Sequence, residues 1–266
     1  MNSRRESACF SRKSGNCRTN TEDNAMMRSF GIALVTVLLC ASAAVAQVSP
    51  AKTDQAAGFV SLFNGKDLSG WDGDSRLWSV KEGAIVGETS SESPIKENTF
   101  LIWTGATLKD FELRVRFRLV NHNSGIQYRS RDLGRTAGQR NAWTVGGYQA
   151  DMDSANQYTG MLYEERGRGI LANVGQKVTA KANGEKTVEQ AVDPQSVRAA
   201  ITAGAWNEYV VICRGNRITH RVNGVISADV TDEDIEKRSL EGILALQLHQ
   251  GPAMRVEFKD ILLKVF

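Results

Sequence analysis

Phe111-Glu112-Leu113-Arg114-Val115-Arg116-Phe117-Arg118-Leu119 is the stretch that decides the fold class, because five apolar residues alternate with four charged ones. Successive side chains of a β-strand point to opposite faces, so this order gives one apolar face and one charged face. An α-helix would spread both kinds of residue around its axis. We therefore predict a half-buried β-strand over residues 111–119.

Strand-like runs occupy most of the chain after residue 58, separated by short segments rich in Gly and Asn. The pair Asn223-Gly224 suits the central positions of a type I′ hairpin turn, both of which need positive φ. These features predict an all-β fold, a two-sheet antiparallel β-sandwich of the jelly-roll type. The clearest further strands are predicted at 206–213, 217–222, 225–230, 243–249 and 254–266.

Residues 174–204 interrupt the strand pattern, being polar and rich in Lys, Gln and Ala. We predict a long surface excursion over one end of the sandwich, with a short helix near 195–200. Long loops in compact domains are often functional.

Composition limits the classes of partner. The chain has 266 residues, 41% of them hydrophobic, and a formal net charge of +3. Residues 47–266 contain equal numbers of basic and acidic residues. A nucleic-acid partner is therefore not expected, because such partners need a marked basic excess.

The N-terminal segment predicts export. Residues 26–46 combine Arg28, an apolar run and a final Ala44-Val45-Ala46, the pattern of a secretory signal peptide. The apolar run is too short for a permanent membrane span. Residues 1–25 are interpreted as a disordered extension from a start codon placed too far upstream, and 47–57 as a linker before a domain at 58–266. The predicted location is periplasmic or extracellular; a lipoprotein anchored at Cys40 is less favoured, because Leu39 precedes it.

Three predicted strands carry amides, acids and imidazole on the face opposite their apolar residues. Amide and carboxylate groups can each engage pairs of sugar hydroxyls, so these residues predict a cleft that binds a small-molecule glycoside or oligosaccharide. The alternative is an ordinary solvated sheet face. Counting every second position gives Gln127, Arg129, Gln149, Asp151, Asp153, Gln247 and His249.

Other candidates follow from local context. Asp151 and Asp153 offer hard oxygen ligands for a divalent cation such as Ca²⁺, with Asp153 the candidate metal ligand, although the sequence does not require a cofactor. Tyr163 and Glu164 are candidates because neighbouring arginines would keep the carboxylate ionised. His122 and His220 are predicted at the surface, and Cys213 in the core.

An ordered set of motifs resembles the 3-keto-disaccharide hydrolase domain family, over essentially all of residues 58–266. At one position the chain has Tyr148 where many members of that family have Glu. The matching stretches are Leu62-Phe63-Asn64-Gly65-Lys66-Asp67-Leu68-Ser69-Gly70-Trp71, Asn123-Ser124-Gly125-Ile126 with Arg129, Tyr148-Gln149-Ala150-Asp151, Thr159-Gly160-Met161-Leu162-Tyr163, Trp206-Asn207-Glu208, Asn223-Gly224 and Leu246-Gln247-Leu248-His249.

This resemblance implies a concanavalin A-like lectin/glucanase sandwich and cleavage of glycosides oxidised at carbon 3. The ketone acidifies the proton at carbon 2, so a single base can start an elimination that hydration completes. We expect His249 or Asp151 as the base and Glu164 or Asp153 in an acid or metal role. Substrate binding is assigned to Arg129, Gln127, Gln149, Gln247, Tyr163 and Asn123. The alternatives are a non-catalytic carbohydrate-binding module and a conventional glycoside hydrolase.

Overall fold

Two β-sheets face each other across one hydrophobic core in the computed structural model, which describes residues 57–134 and 141–266. The predicted extension (1–25), the predicted signal peptide (26–46) with Cys40, and residues 47–56 of the predicted linker lie outside the described residues. Within the described residues, no helix is long and apolar enough to span a membrane.

The described residues form seventeen strands, one α-helix and one 3₁₀ turn. The helix, α1, is Pro194–Ala200, and the 3₁₀ turn is Ala182–Gly184. The strands, in chain order, are β1 (Val60–Ser61), β2 (Trp71–Asp72), β3 (Trp78–Lys81), β4 (Ala84–Glu88), β5 (Thr99–Trp103), β6 (Phe111–Leu119), β7 (Asn123–Asp132), β8 (Val145–Asp153), β9 (Leu162–Glu165), β10 (Gly169–Ala172), β11 (Gln176–Ala180), β12 (Lys186–Gln190), β13 (Asn207–Arg214), β14 (Arg217–Val222), β15 (Val225–Asp232), β16 (Ile243–Leu248) and β17 (Arg255–Val265).

The larger sheet has the strand order β12-β11-β15-β14-β13-β6-β17-β4-β3, with β1 added beside β17. The smaller sheet has the order β10-β9-β8-β7-β16-β5-β2. Paired strands in both sheets are antiparallel except for β11 and β15, which are parallel. The predicted all-β sandwich of jelly-roll type is confirmed.

Strict alternation along β6 builds the larger sheet's contribution to the core. Its apolar residues are buried and its charged residues are half-buried at the outer face. Leu113, Val115 and Phe117 belong to one core cluster with Ile126 and Tyr128 of the smaller sheet. Burial of such side chains is the main favourable term in folding, at about 25 cal/mol per Å² of apolar surface.

The segment 174–204 contains more regular structure than the predicted surface excursion with one short helix. It contains β11 and β12, which form a hairpin that extends the edge of the larger sheet beside β15. The alternation of Val178 and Ala180 supplies a buried face on β11, whereas β12 is exposed throughout. The predicted short helix is confirmed as α1, which Asp193 caps by accepting a hydrogen bond from the Gln195 amide.

His220 lies in the core rather than at the predicted surface, because its position in β14 has the same parity as the buried Ile218 and Val222. Its ring lies between two hydroxyl groups, with Nε2 2.7 Å from Oη of Tyr128 and Nδ1 3.2 Å from Oη of Tyr209. Burial lowers the pKa of His220 to about 4, so its imidazole is neutral at pH 7.

Two local predictions are confirmed near this part of the larger sheet. Cys213 is fully buried, and burial raises the pKa of its thiol to about 12. Asn223 and Gly224 have φ values of 46° and 84° in the turn between β14 and β15, as a type I′ turn requires.

Candidate functional site

Polar side chains line the outer face of the smaller sheet, on the side away from the core. They alternate with core residues along four strands, so the strand period itself places them together. We call this surface the polar face; its residues are Gln127 on β7, Gln149 and Asp151 on β8, Tyr163 and Glu165 on β9, and Gln247 on β16. The register sets Gln149 directly between Gln127 and Tyr163.

A chain of hydrogen bonds runs across the polar face and ends at a carboxylate. Ser130 Oγ donates to Gln127 Oε1 at 2.7 Å, and Gln127 Nε2 donates to Gln149 Oε1 at 2.7 Å. Gln149 Nε2 then donates to Asp151 Oδ2 at 2.8 Å. Asn123 Nδ2 donates to the other oxygen, Oδ1, also at 2.8 Å. Each amide has one orientation in this chain, and Asp151 is its final acceptor.

Gly125 makes room for this arrangement. A Cβ added at Gly125 would lie 2.4 Å from Cδ and 2.7 Å from Nε2 of Gln149, closer than real contacts allow. Gly125 is paired with Asp151 in the strand register. The Gln149 side chain therefore lies over the bare backbone of β7 at the position opposite Asp151.

Burial gives Asp151 an unusual pKa. The residue is only 4% exposed, and this burial raises the pKa of its carboxyl group to about 7. The hydrogen bonds from Gln149 and Asn123 act in the opposite direction, whereas the negative charges of Asp153 and Glu165 raise it further. A carboxyl group that titrates near neutral pH can accept or return a proton under physiological conditions.

Gln247 is the second unusual group of the polar face. It is fully buried, and neither its Oε1 nor its Nε2 has a hydrogen-bond partner within the described residues. Leaving a buried polar group unpaired costs about 1–3 kcal/mol. An amide with a free donor and a free acceptor can bind adjacent oxygen atoms of a ligand.

The polar face is partly covered from above. Asn98, which precedes β5, donates to Glu165 Oε1 on β9 at 3.2 Å, although three strands separate β5 from β9. Strands lie about 4.8 Å apart, so this bond requires the sheet to curl and Asn98 to reach across its face. The Phe100 amide also donates to the Trp143 carbonyl beside β5 at 3.1 Å. Burial raises the pKa of Glu165 as well as that of Tyr163.

His249 stands at the rim of the polar face rather than in its centre. It follows Leu248 at the end of β16, is half-buried, and its Nδ1 lies 2.5 Å from the Gln250 carbonyl. Its ring centroid is 4.9 Å from that of His122, the residue before Asn123. The structure therefore brings Asn123, Gln127, Gln149, Asp151, Tyr163 and Gln247 together, with His249 at their edge.

The structure contradicts the predicted position of Arg129, which does not lie on the polar face with Gln127. The pairing of β7 with β8 shifts register between Tyr128 and Arg131, and Arg129 has a φ of 46°. This β-bulge reverses the alternation that predicts the side of Arg129. Its buried guanidinium donates instead to the carbonyls of Lys109 and Gly215, at the end of the larger sheet.

The structure also contradicts a position for Glu164 at the polar face, because Glu164 lies on the opposite face of β9 from Tyr163. Its carboxylate accepts from Arg168 Nε at 2.6 Å, and Arg168 Nη1 donates to Asp232 Oδ1 at 3.0 Å. Glu165 is the acid that shares a face with Tyr163. The period of two in Leu162-Tyr163-Glu164-Glu165 was the signal that could have identified it.

The Asp153 carboxylate stabilises the loop that follows β8. Its carboxylate accepts hydrogen bonds from the amides of Gln157, Tyr158 and Thr159, at 3.1, 2.7 and 3.0 Å. Within residues 57–134 and 141–266, no group of three or more His, Cys, Asp and Glu residues could hold a metal ion. A divalent cation at Asp153 stays a prediction.

Comparison with known proteins assigns the chain to a family. Residues 58–264 match the model of the 3-keto-alpha-glucoside-1,2-lyase-like domain. The chain belongs to this family. No curated protein matches the chain. As a 3-keto-alpha-glucoside-1,2-lyase-like domain with a jelly-roll fold, it is a glycoside hydrolase-like or carbohydrate-binding protein.

Solved structures share the fold of this 3-keto-alpha-glucoside-1,2-lyase-like domain. Two are proteins from Parabacteroides distasonis ATCC 8503 that carry a provisional glycosyl hydrolase description. The first has 18% identity and a TM-score of 0.51, over 81% of this chain and 97% of its own. The second has 15% identity and a TM-score of 0.50, over 78% and 99%. At these identities the similarity shows the fold alone.

Proposed function

We propose that this protein is an exported enzyme that cleaves glycosides whose sugar carries a ketone at carbon 3. The observation that carries the proposal is Asp151, a buried carboxyl group on the polar face with a pKa raised to about 7. A substantial fraction of such a group is ionised at neutral pH. It is also basic enough to take a proton from a carbon next to a ketone.

The reaction begins when the Asp151 carboxylate removes the proton from carbon 2. The electrons of that C–H bond form an enolate, whose oxygen at carbon 3 accepts a hydrogen bond from Gln247 Nε2. Gln247 suits this role because its amide is buried and unpaired within the described residues. A donor already in place where negative charge develops lowers the barrier without reorganisation.

Elimination and hydration complete the cleavage. The enolate collapses, restores the ketone, forms a double bond between carbons 1 and 2, and expels the aglycone oxygen, which takes a proton from His249 or from water. Water then adds at carbon 1 and gives up a proton that replaces the one passed to the aglycone. Asp151, whose proton exchanges with solvent, protonates carbon 2. The net result is hydrolysis, and the carboxyl group ends in its original state.

A second candidate is a conventional glycoside hydrolase, which one observation favours. Asp151 and Glu165 are two acids on the same face, and burial raises the pKa of both. Conventional glycosidases use two carboxyl groups, one of them protonated near neutral pH. Such an enzyme would not need a ketone at carbon 3.

The test compares a 3-keto-glucoside with its unoxidised parent, using the purified protein. We expect cleavage of the keto-glucoside alone and, in D₂O, incorporation of deuterium at carbon 2 of the released sugar. Asp151→Asn should abolish both, whereas Glu189→Gln, an exposed acid on β12, should change neither. Cleavage of the parent at a similar rate would instead establish the glycosidase, and binding without turnover the carbohydrate-binding module.

A further inference from the structure

A cavity of about 540 Å³ lies beside the polar face and is rich in arginine. Glu165 and Gly147 belong to its lining, and they are paired across β9 and β8. We call it the arginine cavity; its lining includes Arg131, Gly147, Glu165, Arg166, Arg168 and Lys237. Gly147 lies only two residues from Gln149, about 7 Å along the strand, so the cavity continues the polar face.

Acidic partners neutralise the inner part of the arginine cavity. Arg168 donates to Glu164 Oε2 and, through Nη1, to Asp232 Oδ1. These ion pairs are nearly enclosed, with the Arg168 side chain only 14% exposed. This arginine is therefore committed to the fold and unavailable to a ligand.

The lining of the arginine cavity has more basic than acidic side chains, although Glu165 and Glu236 belong to it and Arg166 interacts electrostatically with Glu165. Arg131 and Arg166 are exposed, and no hydrogen bond or ion pair joins either guanidinium to another described residue. Lys237 forms an ion pair with Asp234 at 4.0 Å, and its side chain is 53% exposed. Arg166 has a φ of 53°, a left-handed conformation that is uncommon for a long side chain.

We infer that the arginine cavity binds an anionic group, a carboxylate or a phosphate, on the part of the substrate that leaves carbon 1. This inference rests on the proposed function, and it takes the orientation in which the substituent at carbon 1 points towards Gly147. Water rather than His249 then protonates the aglycone oxygen, because the strand register puts His249 and Gly147 on opposite sides of the Gln149–Asp151 pair. Guanidinium groups bind carboxylate and phosphate oxygens in pairs, which gives orientation as well as attraction. A recessed site also focuses the positive potential.

The experiment compares two ligands that differ in charge alone, the 4-carboxyphenyl and 4-carbamoylphenyl 3-keto-glucosides. Calorimetry on the full chain at low ionic strength should show about tenfold tighter binding of the carboxylate. The preference should shrink as salt is added, since exposed charges are screened. The double variant Arg131→Gln/Arg166→Gln should reduce the preference to within about twofold and leave binding of the carboxamide unchanged.

Arg221→Gln, on the outer face of the larger sheet, is the matched control and should keep the full preference. Competition by free benzoate, phenyl phosphate and benzamide then separates the two anions. Equal affinity for both glucosides in the wild type, no binding of either, or a preference that survives in the double variant, would overturn the inference. Because binding is measured directly, a carboxylate preference without turnover would contradict the proposed reaction while leaving the anion site intact.

Discussion

Gln149 donates a hydrogen bond from Nε2 to Oδ2 of Asp151 at 2.8 Å, from a position two residues earlier on the same strand. This bond favours the ionised form of the carboxyl group, whereas burial disfavours it more strongly. The balance sets a pKa of about 7. Groups on the polar face other than the base itself therefore tune its proton affinity.

The activity of the wild-type protein on a 3-keto-glucoside should depend on ionised Asp151. We expect kcat/KM to fall about tenfold per pH unit below pH 7, the direction required when a base must be deprotonated. Asp151→Asn should lower kcat at least 100-fold at pH 8 while the substrate still binds. The measurement is a pH–rate profile from pH 5 to 9, and a profile that is flat across this range would exclude Asp151 as the base.

Two neighbours of Asp151 should shift the fall in kcat/KM at low pH, the acid limb of the pH–rate profile, in opposite directions. Gln149→Leu removes a hydrogen bond that lowers the pKa of Asp151, so the limb should shift to higher pH. Glu165→Gln removes a negative charge that raises the pKa, so the limb should shift to lower pH. The same pH–rate profile measures both changes, and shifts of the same sign would contradict the assigned geometry.

Glu164→Gln is the matched comparison for Glu165→Gln, because the two acids are adjacent in sequence but lie on opposite faces of β9. We expect no shift of the acid limb, since Glu164 bonds to Arg168 away from the polar face. We do expect a loss of about 1–3 kcal/mol in the free energy of unfolding, because Arg168 loses a partner in a half-buried network. Urea denaturation measures the loss, and an altered limb with unchanged stability would reverse the two assignments.

The stability of the protein should depend on pH through two buried groups that oppose each other. The pKa of Asp151 is raised from 3.8 to about 7, so its contribution to stability falls as pH rises through that window. The pKa of His220 is lowered from 6.5 to about 4, so its contribution rises with pH over nearly the same range. The two slopes should largely cancel in the wild type between pH 4 and 6.5.

Asp151→Asn should reveal the His220 contribution. The variant should be more stable than the wild type at pH 8, by up to about 4 kcal/mol, because one pKa unit corresponds to about 1.4 kcal/mol. The difference should vanish below about pH 3, where the carboxyl group is protonated in both folded and unfolded chains. Chemical denaturation at several pH values tests this, and a difference that grows on acidification would have the wrong sign.

Gly125→Ala should disturb the site through sterics alone. The new Cβ would lie 2.4 Å from Cδ of Gln149, so we expect a loss of about 1–3 kcal/mol in stability and a large loss of activity. Gln149→Ala in the same chain removes the contact. A double-mutant cycle in urea should therefore show that the two substitutions together cost less than their sum, and strict additivity would mean that Gly125 matters for another reason.

Some of the site was predictable from the sequence because strand alternation is a local property. Once β7, β8 and β16 are recognised, the period of two assigns Gln127, Gln149, Asp151 and Gln247 to one face without knowledge of the fold. The same rule, applied to residues 162–165, would have paired Tyr163 with Glu165. The neighbouring arginines point to Glu164 instead, and they are a weaker guide than the period of two.

The alternation rule fails where the backbone of a strand is irregular. The bulge at Arg129 reverses its side, and the sequence around it contains no Gly or Pro to announce a break. The sequence predicts His220 at the surface although its position alternates in step with the buried Ile218, because a polar ring is expected inside only when partners exist. Those partners, Tyr128 and Tyr209, are 92 and 11 residues away in the chain.

The sequence by itself determined the fold class, the strand faces and the identity of the amide and acid groups, because these depend on side-chain order within single strands. Only the tertiary structure decided which strands are neighbours, that Asn98 reaches Glu165 across the sheet, and that Asp151 is buried enough for a pKa of about 7. Those properties depend on distances between distant segments and on exclusion of water, and local residue order encodes neither of them.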